Sequence, residues 1–405
     1  MTWLGKDSLR RFGALTPQQF LRDYWQQRPL FVRNAVPEIA GLMDGGDLAG
    51  LALDEHAESR IVLQHADGSW ELRRGPFKEK TFKTLPKENW TLLVQAVDHF
   101  LPDAAELLDR FNFLPHWRID DLMVSYAVAG GGVGPHYDSY DVFLIQGIGT
   151  RLWRIGSAAG EQDLLPHPDL RILKKMAVTQ EFLCEPGDLL YLPPHLAHWG
   201  IAQGECMTYS VGFRTPSDRE LLDGFCNHLV EQTPERQRYG DSGSKPVQHP
   251  GVLEPQAIAA LRTRLTHLIK MPGALEAFLG RALSEPKYAT HATATPAKRW
   301  TKAALGKALM KAGAVRRDEG SRFLLVPDAS LPAPAPALYV DGERFVPEHA
   351  STKLLVAAAL IANHRVIDPP VLRELLADEA AATLILHLFN SGHLYLPDSG
   401  SPEKS

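Results

Sequence analysis

The chain predicts a mixed α/β protein: a double-stranded β-helix, or jelly-roll, core, then a helical region and a C-terminal unit of winged-helix type. Three observations carry that prediction. Residues 101–215 hold short β-type runs broken by Gly and Pro. From Ser217 the periodicity turns helical, and from 295 onward helices alternate with small hairpins.

Residues 1–100 are mixed and are expected to pack on the barrel. TPQQFL (16–21) opens with a helix-start signal, and RPLFVRNAVP (28–37) reads as an early strand ended by proline. Residues 216–294 begin with a capping box, Ser217 to Glu220, in SDRELLDGFCNHLVEQ (217–232). After a polar loop at 238–251, PQAIAALRTRLTHLIKM (255–271) is a second amphipathic helix. Residues 295–397 start with PAKRWTKAALGKALMKAGAVRR (296–317), which has seven basic residues and no acidic one. Such a run is a solvated helix face or a contact for RNA or other nucleic acid. Strand-like RFLLVP (322–327), a Pro-Ala linker (331–337) and LYVDGERFVP (338–347) with an Asp-Gly turn follow. Helical runs at 351–364 and 371–392 and a short strand at 393–397 complete the unit, and the tail 398–405 is expected to be disordered.

Composition narrows the class. A chain of 405 residues, 44% hydrophobic and 22% charged, is long enough for two or three domains with their own cores. No apolar run reaches the ~18–20 residues of a membrane span, and MTWLGKDSLRRFG lacks the apolar stretch of a signal peptide. Cys184, Cys206 and Cys226 are few, odd in number and not at metal-type spacing, which points to the cytoplasm. A formal charge of −5 argues against nucleic acid as the main partner and suits a basic protein substrate.

The segment GGGVGPHYDSYDVFLIQG (130–147) places His136 and Asp138 two apart at the head of an apolar strand. Residues i and i+2 of a strand share a face, so both can grip one ion, with Tyr140, Val142 and Leu144 continuing along it. The pattern alone is weak, since 16 histidines give roughly one such pair by chance. His65-Ala-Asp67 runs into Gly68-Ser69 and looks like a turn, and His167-Pro-Asp169 has a central proline that suits a loop. A third ligand must come from a distant strand. EPGDLLYLPPHLAHWG (185–200) offers His198, where a strand begins, or His195, on the Pro193-Pro194 turn; His198 fits better. Two imidazoles and one carboxylate with open positions are the ligand set of a non-haem Fe(II) oxygenase.

Such a metal leaves room for chelating 2-oxoglutarate and for dioxygen. The far carboxylate of 2-oxoglutarate then needs a cation. Arg151 shares a strand face with Trp153, and its planar fork suits a carboxylate. Polar groups also recur on one face of 121–125 (Asp121, Met123, Ser125) and of 207–213 (Thr208, Ser210, Gly212). These are inner faces of a ligand-holding barrel or outer faces of an ordinary one; periodicity does not choose.

GPHYDSYDVFLIQG (134–147), PGDLLYLPP (186–194) with His198, and YSVGFR (209–214) together resemble the bacterial JmjC-type ribosomal oxygenases of the cupin superfamily. The resemblance covers nearly the whole chain. It implies an Fe(II)- and 2-oxoglutarate-dependent protein arginine 3-hydroxylase acting on the sixteenth protein of the large ribosomal subunit. It also implies a homodimer formed through residues 216–294. On the matching positions it makes His136, Asp138 and His198 the iron ligands and Arg151 and Ser125 the 2-oxoglutarate contacts. Asp121, Met123, Tyr140 and Ser210 match positions around the substrate arginine. A carboxylate and a hydroxyl can bind guanidinium while an aromatic ring and a thioether flank its stem. His195 is extra to the family pattern.

Two other classes fit the residues alone. One is a cupin-type isomerase or hydrolase using Zn or Mn, since this ligand set tolerates several divalent metals. The other is a non-catalytic module that recruits a ribosomal or nucleic-acid partner, against which the complete triad weighs.

Overall fold

The computed structural model describes residues 8–167, 169–235, 238–288, 293–327, 336–345 and 351–397. The chain divides into two compact units, Met1–Thr215 with Tyr288–Ala292, and Pro216–Lys287 with Thr293–Ser405.

In the first unit, strands β1 (Leu30–Val32), β2 (Ser59–Gln64), β3 (Trp70–Arg74) and β4 (Trp90–Val94) come from the first hundred residues. They are followed by β5 (Ile119–Ala127), β6 (Asp141–Ile148), β7 (Arg151–Ala158), β8 (Gln180–Cys184), β9 (Leu189–Leu192), β10 (Leu196–Ala202) and β11 (Cys206–Phe213). One sheet has the order β1-β9-β6-β11-β5-β4-β2-β3 and the other β10-β7-β8, all pairs antiparallel. The early strands are thus hydrogen-bonded into the barrel sheet itself, β4 beside β5 and β1 beside β9. The runs at 16–21 and 28–37 behave as expected: Thr16 caps a helix at Pro17–Asp23 with a full capping box, and β1 ends before Pro37.

Strand β6 is buried over almost its whole length because both of its faces are covered. Phe143 and Ile145 join a large core with Phe20, Phe111 and Tyr191, while Val142 and Leu144 join Trp153, Ile155 and Leu190. Phe143 stands 4.8 Å from the Phe111 ring, 5.0 Å from Tyr191 and 5.6 Å from Phe20. Those aromatic contacts anchor the N-terminal helix to the strand that leads out of the histidine segment.

The predicted start of that strand needs correction. His136 and Asp138 do not open it; β6 begins at Asp141. Gly134 takes φ +81°, so the chain is still turning there, and His136 instead forms an isolated antiparallel bridge with His198.

The second unit contains α-helices at Asp218–Gln232, Pro255–Ile269 and Ala274–Ser284, the first capped by Ser217 as expected and the third not anticipated. Among the described residues its C-terminal part has two three-stranded sheets and a core built on Leu305, Val340, Ile361, Leu372 and Phe389. The Asp341-Gly342 turn is present, with φ +50° and +83° closing a hairpin between Pro336–Val340 and Glu343–Phe345. The helical run 371–392 is two helices, Pro369–Leu375 and Glu379–Asn390, because Asp378 caps the second by accepting from the Ala381 N–H. The basic run is helical only over Lys302–Leu309, and Val315–Arg317 is a strand. Within the basic run Lys302 pairs with Glu379 at 3.0 Å, and buried Arg317 donates to the Ala362 carbonyl and covers the Phe323 ring at 4.3 Å. Most of the Pro-Ala linker and the whole tail lie outside the described residues. Among the described residues no helix is long and apolar enough to cross a membrane.

Candidate metal centre

His136, Asp138 and His198 converge. Their ligand atoms all lie within 4.8 Å of one another, and among the described residues this is the cluster able to hold a metal ion. The backbone makes the meeting rigid: the His136 N–H donates to the His198 carbonyl at 2.9 Å and the His198 N–H to the His136 carbonyl at 2.8 Å. Each ring also points Nδ1 at a main-chain carbonyl, His136 at Gly134 (2.9 Å) and His198 at Leu196 (2.8 Å). That contact puts the proton on Nδ1 and leaves the Nε2 lone pair free to coordinate. The His198 pKa is drawn down to about 4, by burial first and by His136 second, so the ring is neutral at neutral pH. Its Nε2 is 3.6 Å from the Asp138 carboxylate. Two converging imidazoles and a carboxylate fit a divalent transition metal.

His195 is not in the cluster. It is exposed in the turn at φ +62°, and its backbone N–H donates to the Asp138 carbonyl at 2.6 Å. It steadies Asp138 through the main chain while its ring points elsewhere.

The triad opens into a cavity of about 460 Å³, within the range of small-molecule sites. Asp121, Met123 and Ser125 from β5, Tyr140, Arg151 from β7 and Ser210 from β11 all line it, so the polar strand faces are inner faces. Gly200 on β10 makes room for Trp153, whose ring is tilted against that of His198 with centroids 5.9 Å apart; a Cβ on Gly200 would come within 2.7 Å of the indole.

Arg151 is buried, and among the described residues no carboxylate pairs with it. One of its terminal nitrogens, Nη1, donates to Ser125 Oγ at 3.0 Å and to Thr208 Oγ1 at 3.1 Å, while Nε has no hydrogen-bond partner. Burial pushes its pKa down without removing the charge. A buried, unpaired guanidinium with an orphaned donor costs stability unless an anion completes it. The arrangement therefore fits the distal carboxylate of a dicarboxylic co-substrate.

Two residues support Arg151 from behind: Gln146, which sequence reasoning missed, and Thr208, which it placed only on the polar face of 207–213. Thr208 donates to Gln146 Oε1 at 3.1 Å, and Gln146 is fixed by its own bonds to the Ile148 and Gly149 carbonyls. With its single proton committed to Gln146, Thr208 presents a lone pair to Arg151. A lone glutamine inside the apolar run DVFLIQG was the available signal.

Asp121 is buried, and its pKa is pushed up to about 6 by desolvation and by nearby Asp98. Tyr140 holds its phenolic proton more tightly than usual, because of Asp138 and burial.

Known proteins agree with this architecture. A JmjC domain matches residues 106–221 and a ROXA-like winged helix matches 264–395. The ribosomal protein uL16 3-hydroxylase of Escherichia coli K12 is 34% identical over 376 residues, covering 93% of this chain and 96% of that protein. An X-ray structure of E. coli YcfD superposes with a TM-score of 0.84 at 34% identity, covering 94% of this chain and 98% of that one. The E. coli ribosomal oxygenase YcfD in complex with cobalt and 2-oxoglutarate gives 0.81 at 32% identity, over 95% and 99%. The chain belongs to the JmjC ribosomal oxygenases, the family of the E. coli uL16 3-hydroxylase.

Proposed function

We propose that this protein is an Fe(II)- and 2-oxoglutarate-dependent oxygenase that hydroxylates an arginine side chain of the large-subunit ribosomal protein uL16. The observation that carries the reading is one cavity holding both a convergent His136–Asp138–His198 cluster and an uncompensated buried Arg151. With Fe(II), 2-oxoglutarate and dioxygen bound, such a centre oxidises an unactivated C–H bond to an alcohol, releasing succinate and carbon dioxide.

The chain's own residues bind and orient. His136, Asp138 and His198 would hold the ion. Arg151 receives the distal carboxylate through its unpaired donor, with Ser125 and Thr208 holding its Nη1 in place. Asp121 and Ser210 bind the substrate guanidinium, and Met123 and Tyr140 flank its aliphatic stem, so that one carbon is presented to the metal. Exposed Leu222, Val230, Leu265 and Ile269 on the first two helices of the second unit support a homodimer through 216–294. The protein works in the cytoplasm on its ribosomal substrate. Nucleic-acid contact through 298–317 is secondary and falls to Lys298, Arg299, Lys307 and Lys311.

The test is incubation with Fe(II), 2-oxoglutarate, oxygen and the separated large-subunit proteins, followed by mass spectrometry. A gain of one oxygen atom on an arginine of uL16 is expected. Succinate production without any ribosomal protein being modified would sink the substrate assignment.

A further inference from the structure

Asp121 is held in an unusual way. Its Oδ2 accepts three hydrogen bonds: from Gln95 Nε2 at 2.7 Å, the Ala96 N–H at 2.9 Å and the Tyr288 phenol at 2.7 Å. No described group donates to Oδ1. Ala96 reaches the carboxylate because its backbone is left-handed, at φ +50°. Tyr288 lies 167 positions further along the chain, yet it lines the same cavity and sets its ring edge-on to His99, centroids 5.4 Å apart. Three donors on one oxygen fix the carboxylate's rotation, so the other oxygen is the one offered to the cavity.

We propose that Tyr288 is a positioning residue for substrate recognition, its phenol holding Asp121 so that Oδ1 meets the cation of an incoming guanidinium. The inference rests on the reading of Asp121 as the carboxylate that binds substrate arginine. Tyr288 keeps the proton it donates, because burial and Asp121 push its pKa well above the usual phenol value. Its second effect is on charge. Burial and Asp98 favour the neutral carboxylic acid, whereas the phenol's hydrogen bond favours the carboxylate. The other charged or titratable groups facing this site are His99 beside Asp98, Glu58 just before β2, Arg60 on β2, and Tyr140. Without the phenol, Asp121 is both freer to rotate and protonated at higher pH, and a neutral acid pairs poorly with guanidinium.

Tyr288→Phe tests this, since it keeps the ring against His99 and removes only the hydroxyl. Substrate KM, and Kd for uL16 measured by calorimetry, should rise about tenfold, the worth of one charged hydrogen bond. The kcat, the KM for 2-oxoglutarate and the melting temperature should stay near wild type. The acid limb of kcat/KM should move to higher pH. In an Asp121→Asn background the same change should add nothing. An unchanged substrate KM and acid limb in Tyr288→Phe, with Asp121→Ala impaired, would overturn the positioning role alone. Parallel losses in melting temperature and in both KM values would make Tyr288 merely structural and also overturn it. Wild-type substrate KM in Asp121→Ala would remove the arginine-site reading and this inference together.

Discussion

His136 and His198, 62 positions apart, exchange main-chain hydrogen bonds in both directions, and their ring centroids stand 4.2 Å apart. Side chains held together by the backbone in this way would need little ordering on binding an ion, which favours affinity.

Loss of a ligand should therefore be chemical and leave the fold intact. His136→Ala and Asp138→Ala should lower succinate formation by more than the ~100-fold seen for supporting residues at metal sites. Circular dichroism and melting temperature should change little. Full turnover by either variant contradicts the ligand assignment.

His195 provides the internal control. Its ring lies outside the cluster and its contribution to Asp138 is a backbone N–H, which alanine retains. His195→Ala should keep iron affinity and kcat within about twofold, well inside the range of a side chain that makes no contact with the centre. A loss matching that of His198→Ala would move the third ligand to His195.

The Arg151 relay predicts a different signature. Arg151→Lys loses the planar fork and should raise the KM for 2-oxoglutarate roughly 10- to 100-fold. Thr208→Val and Gln146→Leu each remove one buried hydrogen bond behind it and should raise that KM about fivefold to tenfold, leaving the KM for uL16 unchanged. Equal effects on both KM values would show general damage to the barrel.

How far these residues can be read from the sequence follows from the range of the forces that place them. Arg151 and the polar residues of β5 and β11 are legible as groups because strand alternation assigns residues to a face, though not which face is inner, whereas His136 and Asp138, which precede β6, are legible from their spacing and motif context. The glycine at φ +81° that delays β6 to Asp141 is less so, since a Gly pattern shows that the chain can turn and not where pairing resumes. Gln146 offers a weak sign as one polar residue in an apolar strand. Tyr288 offers none. Its partner is brought to it by the return of a distant segment, and no spacing rule spans 167 positions.

Asp121 gives the pH dependence. With its pKa pushed up to about 6, it is mainly ionised at pH 7 and loses its charge as pH falls through 6. Substrate KM should rise over that interval while kcat at saturation holds, and Asp121→Asn should give a high KM that no longer follows this ionisation. Stability moves the opposite way. The native state keeps this proton between about pH 4, where an unfolded aspartate releases it, and 6, so the group's contribution to stability grows as pH drops from 7 towards 4. Chemical denaturation of wild type and Asp121→Asn across that range separates this contribution from other carboxylates. A difference that does not vary with pH would contradict it.

Anaerobic titration with Fe(II) and 2-oxoglutarate tests the central claim most directly. One ferrous ion per chain and a weak visible charge-transfer band are expected in wild type and His195→Ala, with both absent in His198→Ala. Stoichiometric iron and an undiminished band in His198→Ala would contradict the assignment of the metal to these three side chains.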